Sequence, residues 1–218
     1  MSGLTLVIGN KNYSSWSMRA WLLMRQYRIE FEELQIPLRR ADSLERKLAY
    51  SPAGKVPILI DGDIRIWDSL AIVEHVAEKF PEKPLWPTDD EARALARSVS
   101  AEMHSGFANL RSRMPLNCRA RRPRAGRGPG VHEEIDRICE IWRECRTRHG
   151  AAGEFLFGEF TAADAMFAPI ASRFQTYGVE PDRDAAKYAK AILAMPVVRE
   201  WIDDAHGEPW SIAKFDQA

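Results

Sequence analysis

The chain has 218 residues, of which 45% are hydrophobic, and its 31 basic residues balance 31 acidic ones to a formal net charge of zero. This length can bury one large core or two smaller ones, and the balanced charge gives no overall basis for binding nucleic acid or an anionic membrane. The longest apolar runs, residues 4–8 and 56–60, are far short of the roughly 20 residues that cross a bilayer. Since no basic stretch and apolar core open the chain, no signal peptide is expected and we predict a cytoplasmic protein.

Three cysteines occur in the sequence, Cys118, Cys139 and Cys145. Their number is odd and no C-x-x-C pair is present, so neither a disulfide framework nor a structural zinc site is indicated. We therefore expect free thiols in a reducing compartment and no metal site.

The first predicted elements form a β-α-β unit. Residues 4–8 are a short apolar run that predicts a buried strand, and the spacing of Met18, Trp21 and Leu22 predicts a helix beginning near Trp16. Residues 31–36 alternate imperfectly and predict a second strand. This order favours parallel pairing of the two strands through a right-handed crossover.

Two further strands and a helix follow in the first 80 residues. Residues 51–54 have the composition of a turn, and residues 56–60 and 64–67 predict a hairpin around Asp61-Gly62-Asp63. Residues 68–80 predict a helix. With a connecting helix in the segment 39–50, the order β-α-β-β-α is that of an α/β thioredoxin-like domain.

The proline-rich segment 81–88 is the best candidate for a domain boundary. It separates a thioredoxin-like domain at residues 1–80 from an all-helical domain at residues 89–218. Thr161 and Asp164 predict a capping box at the start of one of its helices, and Pro169 predicts a kink inside that helix. The helices of this second domain are predicted at residues 89–113, 131–149, 161–177, 182–193 and 196–205.

Ser14 and Ser15 follow the first strand and directly precede a helix. The carboxyl ends of strands in an α/β sheet border the usual ligand crevice, and the helix N-terminus adds a positive partial charge. A serine hydroxyl at this position can donate a hydrogen bond to a thiolate and lower the pKa of a bound thiol. The alternative is that one serine only caps the helix.

Two further pairs of residues suit the ends of a peptide-like ligand. Val56 precedes Pro57, and a cis bond there, although trans is the default, would turn the Val56 main chain outward to pair with an extended peptide. Asp68 can meet an ammonium group, while Ser69 at a helix N-terminus can receive a carboxylate. A simple helix cap remains the alternative for Asp68 and Ser69.

These segments together resemble the cytosolic glutathione S-transferases. The resemblance extends over nearly the whole chain and includes Trp201 on a late helix. The serine loop, in the form Ser-Ser-x-Ser-x-Arg, is most similar to the serine-type zeta and theta classes of this family. The matching segments are Ser14-Ser15, Gly54-Lys-Val-Pro-Ile-Leu59, Trp67-Asp-Ser-Leu-Ala-Ile72, Phe155-Leu-Phe-Gly158 and Thr161-Ala-Ala-Asp164.

The resemblance implies a glutathione site in the first domain. Ser14 or Ser15 would bond the glutathione sulfur, with Tyr13 as a rival donor. The main chain at Val56 and Pro57 would pair with the cysteinyl residue. The glycyl carboxylate is assigned to Lys55 and the γ-glutamyl end to Asp68 and Ser69.

A second-substrate pocket is implied in the helical domain, lined by Met103, His104, Phe107 and Arg111. His104 is either a base in the reaction or a hydrogen-bonded residue of the pocket wall. The basic segment 119–127 lacks interleaved aromatic residues, so we interpret it as a solvated loop and not as a nucleic-acid site.

The function that the resemblance implies is glutathione transfer to a small, largely apolar electrophile, with glutathione as cosubstrate and a role in detoxification. A homodimer is expected, with neither a nucleic acid nor a membrane as partner. One alternative is a glutathione-dependent isomerase of the maleylacetoacetate type, although Trp16 stands where the zeta motif has cysteine. The other is a non-catalytic binding module with the same fold.

Overall fold

The computed structural model describes residues 3–216 of the chain. Its first part contains four strands and three helices in the predicted order, including the connecting helix. These elements are β1 (Leu4–Ile8), α1 (Ser15–Gln26), β2 (Glu32–Gln35), α2 (Ser43–Leu48), β3 (Ile58–Asp61), β4 (Ile64–Trp67) and α3 (Ser69–Lys79). All later elements in the described residues are helices: α4 (Asp90–Ser105), α5 (Ala108–Arg113), α6 (Val131–His149), α7 (Ala162–Tyr177), α8 (Arg183–Ala194), α9 (Pro196–Gly207) and α10 (Ala213–Asp216).

The four strands form one mixed sheet in the order β2-β1-β3-β4. β1 pairs in parallel with β2 and antiparallel with β3, and β3 continues antiparallel to β4. Side chains alternate between the two faces of a strand. Leu6 and Ile8 accordingly join the large core, while Val7 packs with Ile36 and Ile58 on the other face. The predicted thioredoxin-like arrangement is confirmed.

The prediction of a single helix over residues 89–113 is wrong, because the helix is interrupted at Gly106 and Phe107. α4 ends at Ser105, Phe107 adopts the left-handed conformation with φ 58°, and α5 begins at Ala108. The carboxylate of Glu134 on α6 accepts the backbone N–H of Leu110 at 2.7 Å, so a distant side chain satisfies the start of α5. The break also brings Arg111 back toward α4, where its Nη1 donates to the His104 carbonyl at 2.9 Å.

α7 is the central helix of the molecule and packs against α1, α4 and α8. The predicted capping box is present, since Asp164 accepts from the Thr161 N–H at 2.8 Å and from its hydroxyl at 3.0 Å. The helix continues through Pro169. Trp201 is fully buried in the same continuous core, which extends from β1 to α9. The domain boundary at residues 81–88 stays a prediction.

The segment after α9 returns to the loop between β1 and α1. The carboxylate of Glu208 accepts the backbone N–H of Lys11 at 2.5 Å and that of Asn12 at 3.1 Å. The three cysteines are buried and free, as predicted. Across residues 3–216 no helix combines the length and the apolar character that a bilayer crossing requires.

Candidate functional site

Ser14 is the N-cap of α1, and its hydroxyl is fully engaged there. Its Oγ accepts the backbone N–H of Ser17 at 3.3 Å and donates to the Ser17 Oγ at 2.7 Å. The Ser17 Oγ also accepts the backbone N–H of Gly9 at 3.1 Å, which ties the cap to the end of β1. Ser14 therefore acts as a helix cap, which was the alternative to a contact with the ligand sulfur.

Ser15 is the first residue of α1, and its hydroxyl has a different environment. Arg173 of α7 donates from Nη2 to the Ser15 Oγ at 3.1 Å, while its Nε donates to the Met114 carbonyl at 2.8 Å. Because the Ser15 oxygen acts as acceptor, its hydrogen is available to a further group. No acceptor for that hydrogen lies among the residues that the structure describes.

The hydroxyl of Tyr13 is hydrogen-bonded to Arg119 and to residues near the end of the described chain. It donates to the Asp216 carboxylate at 2.9 Å and accepts from Arg119 Nη2 at 3.0 Å and from the Ile212 N–H at 3.2 Å. The side chain is buried, with 5% exposed. In this arrangement the Tyr13 hydroxyl has no bond left for a ligand sulfur.

Trp16, the residue after the two serines, brings together groups from three helices. The guanidinium carbon of Arg19 lies 4.3 Å from its ring centroid and that of Arg111 lies 5.2 Å away. The His104 ring meets it edge-on, with centroids 5.1 Å apart. Since Trp16 is only partly buried, this cluster of α1, α4 and α5 side chains borders solvent.

Asp68 both caps α3 and contacts the helical part of the chain. Its backbone has φ 81°, its Oδ1 accepts the Leu70 N–H at 2.9 Å, and its Oδ2 lies 3.1 Å from His104 Nε2. The neighbouring Ser69 is buried with an Oγ that has no hydrogen-bond partner within residues 3–216. One Asp68 oxygen thus caps α3, as the alternative interpretation predicted. The Ser69 hydroxyl has no hydrogen-bond partner within the described residues.

The segment before β3 contains the other predicted glutathione-binding residues. The peptide bond between Val56 and Pro57 is cis, not the trans form that is the general default. Lys55 is exposed, Val56 is half-buried and Pro57 is buried.

The four residues predicted to line a second pocket divide into two pairs. Met103 and Phe107 are buried in the large core. His104 and Arg111 instead adjoin Trp16 and are partly accessible. The structure therefore brings His104 and Arg111 next to the serine loop, and Met103 and Phe107 pack behind them in the core.

The electrostatics of this region are dominated by burial of positive charge. Arg19 is 1% exposed, and its Nε and Nη1 have no partner in the part of the chain that is described. Burial, together with the nearby Arg173 and Arg111, lowers its pKa to about 9 against the opposing effect of Asp68. Burial likewise lowers the pKa of His104, although Asp68 opposes this.

Sequence reasoning missed the roles of Trp16, Arg19 and Arg173. Trp16 and Arg19 are three residues apart on α1, and this spacing places side chains on one helix face, so a signal was present for them. Arg173 lies 158 positions from Ser15 along the chain, and no local pattern relates the two. Within residues 3–216 no group of three or more metal-ligating side chains is close enough to hold an ion.

Comparisons with known proteins find related sequences. Residues 10–84 match the family model of the glutathione S-transferase N-terminal domain. The chain is 33% identical over 197 residues to glutathione S-transferase Z1 of Arabidopsis thaliana, and the match covers 85% of this chain and 88% of that protein. It is also 36% identical to glutathione S-transferase 1 of Dianthus caryophyllus, although only 48% of each protein is covered.

A solved structure supports the same fold. A glutathione transferase homolog from Burkholderia, crystallised with bound glutathione, superimposes with a TM-score of 0.73 at 22% identity. The match covers 94% of this chain and 100% of that one. The sequence relationship to the Arabidopsis protein over most of both chains shows that this chain belongs to the glutathione S-transferase family.

Proposed function

We propose that the chain transfers glutathione to a small electrophile in the cytoplasm, working as a homodimer. Family membership supports the reaction type, and the free cysteines suit a reducing compartment. The observation that carries the proposal is the hydroxyl of Ser15, which is fixed by Arg173 at the N-terminus of α1 and keeps its hydrogen available.

Ser15 is the donor that we assign to the glutathione sulfur. A guanidinium group that donates to the serine oxygen polarises the hydroxyl and strengthens it as a donor. A hydrogen bond to the charged form and a nearby positive charge both favour a thiolate. The thiol proton leaves to solvent, the sulfur lone pair forms a bond to the electrophilic carbon, and the leaving group departs with the electrons of the broken bond.

The other contacts follow the polarity of glutathione. Asp68 is the partner for the γ-glutamyl ammonium group, and Ser69 with the N-terminus of α3 suits the adjacent carboxylate. The unpaired hydroxyl of Ser69 supports this assignment. The Val56 main chain pairs with the cysteinyl residue, and exposed Lys55 meets the glycyl carboxylate.

Replacement of the two serines tests the thiol assignment. We expect Ser15→Ala to raise the pKa of bound glutathione, because a hydrogen bond to a charged group contributes about 1–3 kcal/mol. At about 1.4 kcal/mol per pKa unit, the rise is roughly one to two units. The thiolate absorbance of the complex, titrated against pH, measures it directly.

Ser14→Ala is the matched control. It removes the cap of α1, so it is expected to lower stability by about 0.5–2 kcal/mol and leave the thiol pKa unchanged. A pKa that moves in Ser14→Ala and not in Ser15→Ala would transfer the sulfur contact to Ser14. If neither variant moves it, serine activation of the thiol is wrong.

Product analysis separates transfer from the two alternatives. A transferase yields an adduct with the mass of glutathione plus the electrophile less its leaving group. An isomerase returns an acid of unchanged mass, and a binding module returns only the starting materials. Trp16 in place of a cysteine in the serine loop favours conjugation.

A further inference from the structure

Positive charge is concentrated in one segment of this neutral chain. Residues 103–132 contain no aspartate or glutamate. The arginines of the same segment are Arg111, Arg113, Arg119, Arg121, Arg122, Arg124 and Arg127. A concentration of one sign of charge attracts a partner of the opposite sign.

The basic loop at residues 119–127 is held in place by the end of α7. The backbone N–H of Arg122 donates to the Thr176 carbonyl at 2.6 Å, and that of Arg124 donates to the Tyr177 carbonyl at 3.0 Å. The Thr176 hydroxyl donates to the Asn117 carbonyl at 3.0 Å. The loop therefore presents its arginines from a fixed position.

The side chains of Arg121, Arg124 and Arg127 form no ion pair with a carboxylate in the described residues. Arg127 donates to the Gly178 carbonyl at 3.3 Å, and Arg121 donates to the side-chain oxygen of Gln175 at 3.2 Å. Arginines on the surface of α4 and α6 lie against carboxylates instead. A neutral acceptor satisfies an N–H group but leaves the positive charge of the loop uncompensated.

Arg124 also has an unfavourable backbone conformation. Its φ of 73° lies in the left-handed region, which glycine adopts readily and a residue with a Cβ does not. The side chain is exposed. A strained backbone at an exposed residue indicates that the side chain has a use outside the fold.

Arg124 and Arg127 border a groove between the basic loop, α6 and the connection from α7 to α8. This cavity has a volume of about 610 Å³. Its apolar lining consists of Ile135, Cys139, Val179 and Pro181.

The groove continues past Val179 and Pro181 along α7 and α8. This second part has a volume of about 390 Å³ and is lined mainly by apolar side chains. The exposed residues Lys190 and Arg199 also line it. We call the two parts together the α6–α8 groove.

The charges of the α6–α8 groove favour an acidic occupant. Arg143 is paired with Asp182, so these two lining residues neutralise each other. The remaining basic lining residues, Arg124, Arg127, Lys190 and Arg199, outnumber the remaining acidic ones, Asp136 and Glu180.

The lining favours a peptide over a nucleic acid. Phe174 is the only phenylalanine, tyrosine or tryptophan among the described lining residues, and it is 3% exposed. Bases therefore have no accessible ring on which to stack, and Asp136 and Glu180 repel phosphate groups.

We propose that the α6–α8 groove is a docking site for an acidic amphipathic helix of a partner protein. Apolar side chains at i, i+3, i+4 and i+7 of that helix lie on the apolar lining, and its carboxylates meet Arg124, Arg127, Lys190 and Arg199. This inference goes beyond the transfer reaction, because none of the residues assigned to glutathione lines the groove.

Synthetic peptides of defined chemistry test the proposal on the full chain. The probe is a fluorescein-labelled peptide of about 18 residues, or five helical turns, with leucine at helical spacing and glutamate at the other positions. Fluorescence anisotropy measures its binding. We expect it to bind at least about tenfold more tightly than a peptide with lysine in place of glutamate, which corresponds to about 1.4 kcal/mol.

A peptide that keeps the glutamates but has serine in place of leucine tests the apolar lining. It should also bind at least about tenfold more weakly, because it has no apolar face to bury. Equal affinity for this peptide would overturn the proposal of an amphipathic helix.

Arg124→Gly locates the binding in the groove. We expect about threefold weaker binding of the acidic peptide, as for the loss of one exposed ion pair, and no loss of stability, because glycine relieves the backbone. Arg28→Gly is the matched control, since Arg28 is an exposed arginine with φ 52° outside the groove. It should leave peptide binding unchanged.

Lys190→Gln tests the other part of the groove on a different element. It should weaken binding about threefold, and together with Arg124→Gly about tenfold, because effects at separate sites add. Lys187→Gln, a change on the same helix outside the groove lining, should have no effect. Lys190→Gln retains the test if Arg124→Gly proves less stable than the parent.

Three other results would overturn the proposal. The first is equal affinity for the glutamate and lysine peptides, and the second is an equal loss in the variants and in their controls. The third is tighter binding of a labelled single-stranded oligonucleotide, which would assign the groove to nucleic acid.

Conjugation of chlorodinitrobenzene separates this proposal from the transfer reaction. Arg124→Gly should leave conjugation unchanged. Competition between the acidic peptide and glutathione would overturn the docking proposal, because the peptide would then occupy the glutathione site. Absence of conjugation in the parent protein would refute only the transfer reaction.

Discussion

Arg19 retains its charge at pH 7 despite its burial, because its pKa, although lowered to about 9, is still above 7. Removing a charge of this kind relieves a desolvation penalty that the unliganded protein otherwise bears. We expect Arg19→Met to stabilise the unliganded protein by about 1–3 kcal/mol, as seen when buried charges give way to apolar groups of similar volume. Urea denaturation of both proteins at pH 7 measures the difference.

The pH dependence of the stability difference between Arg19→Met and the parent protein shows whether the buried charge causes it. The folded pKa of Arg19 is lowered, so above about pH 9 the folded chain sheds this proton while the unfolded chain keeps it. The parent protein therefore regains stability as pH rises through that value, and its difference from Arg19→Met shrinks. A variant that is less stable than the parent at pH 7 would show that the packing of Arg19 and its contact with Trp16 outweigh its desolvation penalty.

For single residues, the local sequence predicts that Ser14 or Ser15 contacts the ligand sulfur, but it does not show which of the two serines does so. Ser14 and Ser15 both precede a helix, and either can cap it. Their difference arises from partners on other segments, since Ser17 engages Ser14 and Arg173 engages Ser15. The contact with Arg173 exists only after α7 has packed against α1, so the local pattern around the serines contains no sign of it.

Among the elements, α7 begins at a capping box whose Asp164 side chain also contacts two other segments. Asp164 is fully buried, and its carboxylate accepts from the Leu156 N–H and the Tyr188 hydroxyl, each at 3.0 Å, as well as from Thr161. Burial raises its pKa to about 6, while these hydrogen bonds oppose the rise. The carboxylate therefore joins the capping box to the preceding loop and to α8.

We expect Asp164→Asn to lower the free energy of unfolding by about 1–3 kcal/mol, because the amide N–H₂ cannot accept and leaves a buried donor unpaired. Asp182→Asn is the control, since Asp182 caps α8 at an exposed site where asparagine caps about as well. Urea denaturation at pH 7 compares the two. Equal and small losses in both variants would mean that Asp164 acts only as an ordinary cap.

Helix boundaries were predicted well where their caps are local. Residues 131–149 were predicted as a helix and form α6 with the same bounds, and the Thr161 capping box began α7 as predicted. The break between α4 and α5 was missed because its cap is the carboxylate of Glu134, which comes from a later helix. A sequence shows Gly106 as a weak helix breaker but not the distant group that restarts the helix.

At the scale of the whole molecule, the last residues of the described chain hold the loop that bears the serines. Glu208 accepts from the Lys11 and Asn12 N–H groups and from the Gln35 amide, and the Lys11 carbonyl accepts from Trp201 Nε1 at 2.9 Å. α10 and the contacts of this segment were not predicted, because they pair residues about 200 positions apart, as in the Lys11–Glu208 separation of 197.

Glu208→Gln tests whether this anchoring supports the site. An amide in place of the carboxylate turns a donor toward one of the two backbone N–H groups, and an unpaired buried donor costs about 1–3 kcal/mol. We expect faster amide hydrogen exchange confined to residues 10–16 and weaker glutathione binding, because the serines are then held less firmly. Asp203→Asn, an exposed substitution on α9, should change neither quantity. Faster exchange across all elements in Glu208→Gln would instead mean that Glu208 contributes to global stability and that the serine loop is held by its own contacts.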